Sequence, residues 1–600
     1  MKKLLMAAAA LTLTVTMTVL TSCTNDIQDN PAGGPTHDDN AVEGVWYADI
    51  TGKTYALWNY GTVWHSLSFR ADGTVVADIF YTLEGEAVAC QHKTFNYTVT
   101  AEGKLTMYVE DDTLDYTCSS SNGQLTLSNN VDGIVYQKAD ADMTAKIDEW
   151  SQKQLVDVPD PARYTVYVYG NAGGRMDIVI EEGFWKRMKD FLTDSTNVRV
   201  VCFYKYGKET SSGLEDDGDI VWFELNSETD LLKLREEGFA NFGFAEQAKK
   251  LKLCDPASLR MVMELSSLCC PAEQYIFTIW GHGSGFDPRQ DVPGKYDQNL
   301  PASRGVIADE WNDREQLDMY ELAQAIRESG AVGRMNTIFF HNCLMGNIET
   351  LTELRDVTDY ICCSSHILSS DGIVLSGFVN GLMNQKNTED AVKQMFEDIR
   401  PYWDLQYTSG IDTENGGKLP NGDFKMLRTS KFDDILSASR RLATRIVDLY
   451  PTQTEAIGRA TNRVYRFHQY DDKPEHSYVA HFFDLADFAH KLAEETADEE
   501  MAAISNDMDR AFDEAIVHSA DINWNEQHLD HYSLSVCIYQ QDHYNYDFVG
   551  TGGSYRCNIG EGYEQCSFHQ LTGWGNFLSI NKQVPHGNPV SEGGEPLKKE

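Results

Sequence analysis

Cys343 and His282 are the two groups in this chain whose residue types and settings best suit covalent chemistry. Cys343 lies in MNTIFFHNCLMGNIETLTEL, residues 335–354. There the apolar run Ile338-Phe339-Phe340 reads as a buried strand, and after His341-Asn342-Cys343 a helical period follows with Leu344, Ile348, Leu351 and Leu354 on one face. That pattern predicts a thiol at the first turn of a helix, where unpaired amides and the positive end of the dipole favour thiolate. A small buried residue packed under the helix is the other reading of a lone cysteine. His282 ends a second apolar run, YIFTIWGHG, between Gly281 and Gly283. Its flanking glycines permit close backbone approach, so that a substrate carbonyl can lie against the Gly283 amide. A nucleophile and a proton carrier on the same rim of one sheet are what acyl transfer requires.

The elements around these residues alternate. RYTVYVYG, NVRVVCFY, DIVWFEL, YIFTIWGHG and residues 337–340 read as strands, with a helix from Ile178 to Leu192 that places Ile180, Phe184 and Met188 on one side. Near-continuous apolar strands separated by helices predict a mainly parallel α/β sheet covered on both faces, whose sites gather at the carboxyl ends of the strands. Asp318 with Glu321 three residues on predicts a capped helix over LDMYELAQAI. FDDILSASRRLATRIVDLY and MAAISNDMDRAFDEAI carry apolar residues at helical spacing and read as core-facing helices.

Upstream, residues 42–138 form short alternating runs with turns at Asp72-Gly73 and Glu102-Gly103, which predicts a small all-β antiparallel barrel or sandwich. Its opening Gly44-Val45-Trp46 and strand series resemble the lipocalin-like domains of bacterial surface lipoproteins; a ligand cavity and a filled spacer barrel are both open readings. Residues 139–161 read as a charged linker and residues 584–600 as a disordered tail.

Residues 1–22 have a basic start and an apolar stretch and read as a secretory signal. Ending before Cys23, they resemble a bacterial lipoprotein signal, which implies lipidation of the Cys23 thiol, a polar tether over residues 23–41, and an extracytoplasmic protein held to the outer membrane or cell surface. A net charge of −42 without basic runs argues against nucleic acid as a partner. Thirteen cysteines leave twelve beside Cys23; their scatter suits buried thiols better than a disulfide scaffold, and no CxxC pair suggests a zinc ribbon.

WGHGSGF, followed 61 residues after its histidine by Cys343 in FFHNCLMGNIETLTELRDVTDYICCSSHILSSDG, resembles the clostripain-like cysteine peptidases. The resemblance runs from Arg163 to Ile580, within a peptidase domain set at residues 162–583, and includes YVYGNAGG, HFFDLADFAHKL, HYSLSVCIYQ and LTGWGNFL. It implies a caspase-like fold, Cys343 as nucleophile, His282 as the general acid for the departing amine, and the amides of Gly283 and Cys343 as oxyanion donors. Family members commonly carry Asp-Ala-Cys where this chain has His341-Asn342-Cys343, and the missing carboxylate weakens the expected pocket for an Arg or Lys side chain. Asp371 matches the second acidic position of that pocket, although a turn role in Ser370-Asp371-Gly372 explains it equally. Self-cleavage in the loop 287–304, which holds Arg289, Lys295 and Arg304, is a further implication.

Zinc on His282, His341 and Cys343 is the less favoured reading of the same atoms, because the set lacks local ligand spacing. Calcium on Glu215-Asp216-Asp217 and a metal on His528 and His531 are weaker than solvated turns and a polar strand entry. The leading expectation is therefore a lipid-anchored cysteine endopeptidase that cleaves polypeptides and requires no cofactor. The competing one is a non-catalytic surface lipoprotein that binds a ligand or glycan through the β domain.

Overall fold

The computed structural model describes residues 42–581, apart chiefly from 171–178, 207–219, 232–243, 287–305, 310–314, 369–374, 410–420, 468–481, 524–532 and 539–562 and from single positions that include His282 and Ser284. The signal, Cys23, the tether and the tail thus lie outside the described residues. The chain divides into two compact units, the first of which holds the residues up to Pro161.

In the first unit eight strands, β1 (Gly44–Asp49), β2 (Thr62–Phe69), β3 (Thr74–Leu83), β4 (Glu86–Val99), β5 (Lys104–Val109), β6 (Asp112–Ser121), β7 (Gln124–Ser128) and β8 (Gly133–Lys138), each pair antiparallel with the next. Because β8 returns to β1 through Trp46↔Lys138 and Tyr47↔Gln137, the sheet closes, which decides for a barrel over a sandwich. Inward positions follow the pleat: Val63, His65, Leu67 and Phe69 of β2, Leu105 and Met107 of β5, and Leu125 and Leu127 of β7 are all buried. His65 sits among them with its Nδ1 3.0 Å from the Tyr136 hydroxyl, and burial pushes its pKa down to about 4.

The stretch 139–161, read as a linker, is not bare connector. It contains α1 (Ala141–Gln152), started by Asp140, whose carboxylate accepts the Met143 amide at 2.8 Å, and β9 (Val156–Asp157), which joins β4. Ile147 and Trp150 are buried against Phe80 and Ala87 of the barrel, with the Trp150 and Phe80 rings 5.2 Å apart. The charged face that dominates the composition of this segment conceals that two-residue apolar anchor.

The second unit is built on an eight-stranded mixed sheet. In spatial order it runs β12 (Ile220–Leu225), β11 (Val198–Lys205), β10 (Ala162–Gly170), β13 (Ala272–Trp280), β16 (Met335–His341), β17 (Thr358–Cys363), β18 (Asn421–Arg428) and β19 (Ile516–Asn523). The pairings from β11 through β17 are parallel, and β12, β18 and β19 add antiparallel margins. A small hairpin, β14 (Val306–Asp309) and β15 (Glu315–Leu317), precedes α2 (Met319–Glu328), whose predicted cap forms: Glu321 accepts the Asp318 amide at 2.9 Å and Asp318 accepts the Tyr320 amide at 2.7 Å.

One face of the sheet is covered by Ile180, Phe184 and Met188, by α4 (Leu375–Met383) through Phe378 and Leu382, and by α5 (Thr388–Ser409) through Val392 and Met395. Between α2 and α4 in the chain, α3 (Ile348–Thr352) is only five residues long. The long α6 (Phe432–Arg463) packs with α7 (Leu485–Thr496) and α8 (Glu499–Ala515). It continues past the Tyr450 limit set from sequence, because Pro451 bends the helix near Gln453 instead of ending it. At the carboxyl ends of the parallel strands the backbones crowd: a Cβ on Gly170 would lie 1.9 Å from the Trp280 carbonyl oxygen, so that position accepts only glycine.

Candidate active site

β13 and β16 run side by side, and Trp280↔His341 is their last register pair. Both chains then leave the sheet together. The cysteine segment does not enter a helix directly, contrary to the helix expected at Cys343. Asn342–Leu344 form a turn, Leu344 takes a left-handed φ of 64°, and α3 starts only at Ile348, where Asn347 caps it by accepting the Thr350 amide at 3.3 Å. Leu344 and Ile348 share an apolar face in the sequence pattern without sharing a helix, which is why periodicity placed the boundary too early.

Without a helix mouth beneath it, the thiol is governed by its surroundings. Burial pushes the Cys343 pKa up to about 11, against a lowering contribution from the Leu368 amide, which donates to Sγ at 3.4 Å. The thiol in turn donates to the Leu368 carbonyl at 3.8 Å. At neutral pH the group is therefore a thiol. A left-handed leucine costs of order 1–3 kcal/mol, and here it is held by the Leu344 amide donating to the His366 carbonyl at 2.9 Å.

His282 lies outside the described residues, but both of its neighbours are fixed against the cysteine segment. The Asn342 side-chain amide donates to the Gly281 carbonyl at 2.9 Å. A Cβ on Gly283 would lie 2.5 Å from the Cys343 carbonyl oxygen and 2.8 Å from the Asn342 Cβ. Asp371, the loop 287–304, residues 215–217, His528 and His531 also fall outside the described residues. His341 is 4% exposed and stacks on Trp280 with ring centroids 3.7 Å apart and planes 14° from parallel. Burial pushes its pKa down to about 3, so the imidazole is neutral at physiological pH. Among the described residues no group of three or more His, Cys, Asp or Glu side chains could hold a metal.

The structure adds two supports of the cysteine turn. The first is the strap that continues β17. Its Ser364 carbonyl accepts the Gly346 amide at 2.6 Å, and the Ser365 hydroxyl donates to the Gly346 carbonyl at 2.8 Å. The strap is itself gathered on Asp423 Oδ1, which accepts the Ser364 hydroxyl at 2.8 Å and the amides of Ser365 at 2.9 Å and His366 at 3.1 Å. Lys425 pairs with the other Asp423 oxygen, and both side chains are 1% exposed. Burial would raise the Asp423 pKa, but the Lys425 ammonium and these donors outweigh it and hold the carboxyl below its ordinary value.

The second support is Glu349, fully buried on α3, which accepts the Cys537 amide and the Tyr563 hydroxyl at 2.9 Å each. Burial pushes its pKa up to about 7. Below the ordinary carboxyl range both folded and unfolded forms are protonated there, and stability is complete; as pH rises toward 7 the unfolded chain ionises first and roughly 3 kcal/mol is lost. Glu349→Gln is therefore expected to flatten the decline of melting temperature between pH 5 and pH 7. Equal pH slopes in wild type and variant would remove Glu349 as its source.

Among the described residues, Cys90, Cys118, Cys202, Cys343, Cys362, Cys363 and Cys566 are in no disulfide. Among the described residues no helix is long and apolar enough to cross a membrane.

The clostripain family matches residues 188–546. No curated protein matches the chain. Among solved structures, a secreted C11 cysteine protease from Bacteroides thetaiotaomicron in complex with an irreversible peptide inhibitor is 12% identical, covering 69% of this chain and 100% of its own at a TM-score of 0.45. The B. thetaiotaomicron C11 protease called iotapain is 14% identical with the same coverage and a TM-score of 0.43. An inactive zymogen C11 protease from Parabacteroides distasonis is 15% identical, covering 69% of this chain and 99% of its own at a TM-score of 0.43.

Proposed function

The chain belongs to the clostripain family of cysteine peptidases, and from that premise we propose that it is an endopeptidase working through Cys343 and His282. The observation that carries this reading is the clamp between the two strand ends: the residues on both sides of His282 are fixed to the cysteine segment, through Asn342 to Gly281 and through Gly283 wedged on the Cys343 carbonyl.

In the proposed reaction Cys343 Sγ passes its proton to the His282 imidazole and bonds to the scissile carbonyl carbon, whose carbonyl π electrons move onto oxygen. The amides of Gly283 and Cys343 receive the negative oxygen. As the carbon–nitrogen bond breaks, His282 protonates the departing amine, leaving a thioester on Cys343. Water then adds to the thioester carbon, the carbon–sulfur bond breaks to release the peptide acid, and a proton from the water restores the Cys343 thiol. Side chains, backbone amides and water supply every group in this cycle, so no organic cofactor enters.

Selectivity for an Arg or Lys before the scissile bond rests in this reading on Asp371 alone. His341 is a neutral ring stacked on Trp280 and offers a guanidinium no charge. Self-processing within 287–304 and attachment to a membrane through a lipid on Cys23 complete the proposal. An acyloxymethyl ketone bearing Lys or Arg, compared with a neutral analogue, is expected to leave an adduct on Cys343 that mass spectrometry locates. No adduct with either probe would favour the non-catalytic surface protein.

A further inference from the structure

The two residues beside His282 do not hold a shape by themselves. Gly281 and Gly283 flank His282, and glycine surrenders more backbone freedom on ordering than any other residue. Three contacts supply the missing order, and all three come from the strand end that carries the cysteine. His341 stacks on Trp280 at 3.7 Å, which aligns the last register pair of β13 and β16. Asn342 donates its side-chain amide to the Gly281 carbonyl at 2.9 Å, in a buried hydrogen bond. Gly283 rests so closely on Cys343 and Asn342 that a side chain there would collide with both.

The second contact is the informative one. The carbonyl of Gly281 belongs to the peptide unit that joins it to His282, and that unit is planar. Fixing its oxygen fixes the plane from which the histidine backbone departs. Asn342 is 1% exposed, so this hydrogen bond is shielded from water, and losing the donor leaves a buried carbonyl in need of a partner.

We infer that Asn342 is a positioning residue: through the Gly281 carbonyl it sets the turn that presents His282 to Cys343. The inference rests on the proposed dyad. It assigns Asn342 no contact with substrate and no part in proton transfer. Its effect passes through the imidazole, and this separates it from a residue that merely stabilises the cysteine turn.

The test is a double-mutant cycle with His282→Ala, read as turnover of a peptidyl p-nitroanilide, whose amine leaving group needs the proton His282 supplies, with incubations long enough to keep the histidine variant measurable. Asn342→Ala removes the donor. Asn342→Asp keeps the shape and sets an acceptor against the Gly281 carbonyl, so it serves should the alanine variant fold poorly. With His282 present, either substitution is expected to lower kcat about 10- to 100-fold, the scale of a small misplacement of a catalytic group. With His282 already replaced, the same substitution is expected to cost less than about 2-fold, because residues acting as a unit are not additive.

An equal loss in both backgrounds, or Asn342 variants that keep wild-type turnover, would overturn the role of Asn342 and leave the dyad standing. Wild-type turnover by His282→Ala alone would overturn the dyad and the positioning role together.

Discussion

Cys343→Ala is expected to lower peptide turnover by about 10⁴-fold or more, the scale on which nucleophile removal acts in acyl-transfer enzymes. The fold should survive, because the side chain is small and, among the described residues, its sulfur hydrogen-bonds weakly to Leu368 alone. Melting temperature then serves as the control that separates lost chemistry from lost structure. The wild-type protein carries a second signature. With the thiol pushed up to about 11 by burial, alkylation of Cys343 by iodoacetamide in the absence of substrate should be slow at pH 7 and accelerate toward alkaline pH. Fast alkylation at neutral pH would mean that a base already holds the proton in the resting state. The variant also tests maturation: mass analysis should find the loop 287–304 cut in the wild type and intact in Cys343→Ala. Equal fragments in both would assign the cleavage to another protease. A variant that kept more than about a tenth of wild-type turnover would exclude Cys343 as the nucleophile.

The strands that carry this chemistry were legible because both faces of their sheet are covered. YIFTIW and residues 337–340 are continuous apolar runs, and a run of that kind leaves little choice between strand and loop. The barrel was legible through its Gly-containing turns, but its closure was not, since only the pairing of Trp46 with Lys138 tells a barrel from a sandwich. At the site the pattern reached the strand ends and then failed within three residues. Leu344 has an apolar side chain at helical spacing from Ile348, yet its backbone is left-handed, held by the distant carbonyl of His366. No local propensity encodes a contact with a segment that lies 22 residues further on. The same holds for the thiol's charge state: the helix whose dipole would favour thiolate begins at Ile348, five residues past Cys343 and too far on to act on it. Asn342 was seen only as the neighbour of a cysteine. Its role requires knowing that the end of β13 lies beside it.

Asp423 and Lys425 were the least legible of all, since alternate charges on an edge-proximal strand normally face water. Here both are buried, and that burial sets the largest expected change in stability. Asp423→Ala leaves the Lys425 ammonium without its buried partner and strips the strap of the oxygen that gathers Ser364, Ser365 and His366, and it is expected to cost about 3–5 kcal/mol in chemical denaturation. The sign with pH follows from the lowered pKa. The stabilisation from Asp423 is complete above the ordinary aspartate range and is lost as pH falls through the still lower folded value, so the gap between wild type and variant should close in strong acid. Replacing both partners, as in Asp423→Asn with Lys425→Met, removes the unpaired charge and should recover most of the stability, since a buried ion pair often does little better than a neutral pair of similar size. It does not recreate a charged acceptor beneath the Ser365 and His366 amides, whose strap places the Leu368 amide on Sγ. The double variant should therefore melt near the wild type while turning over more slowly, whereas a double variant as unstable as Asp423→Ala would show that the charge of Lys425 was never what the aspartate had to balance.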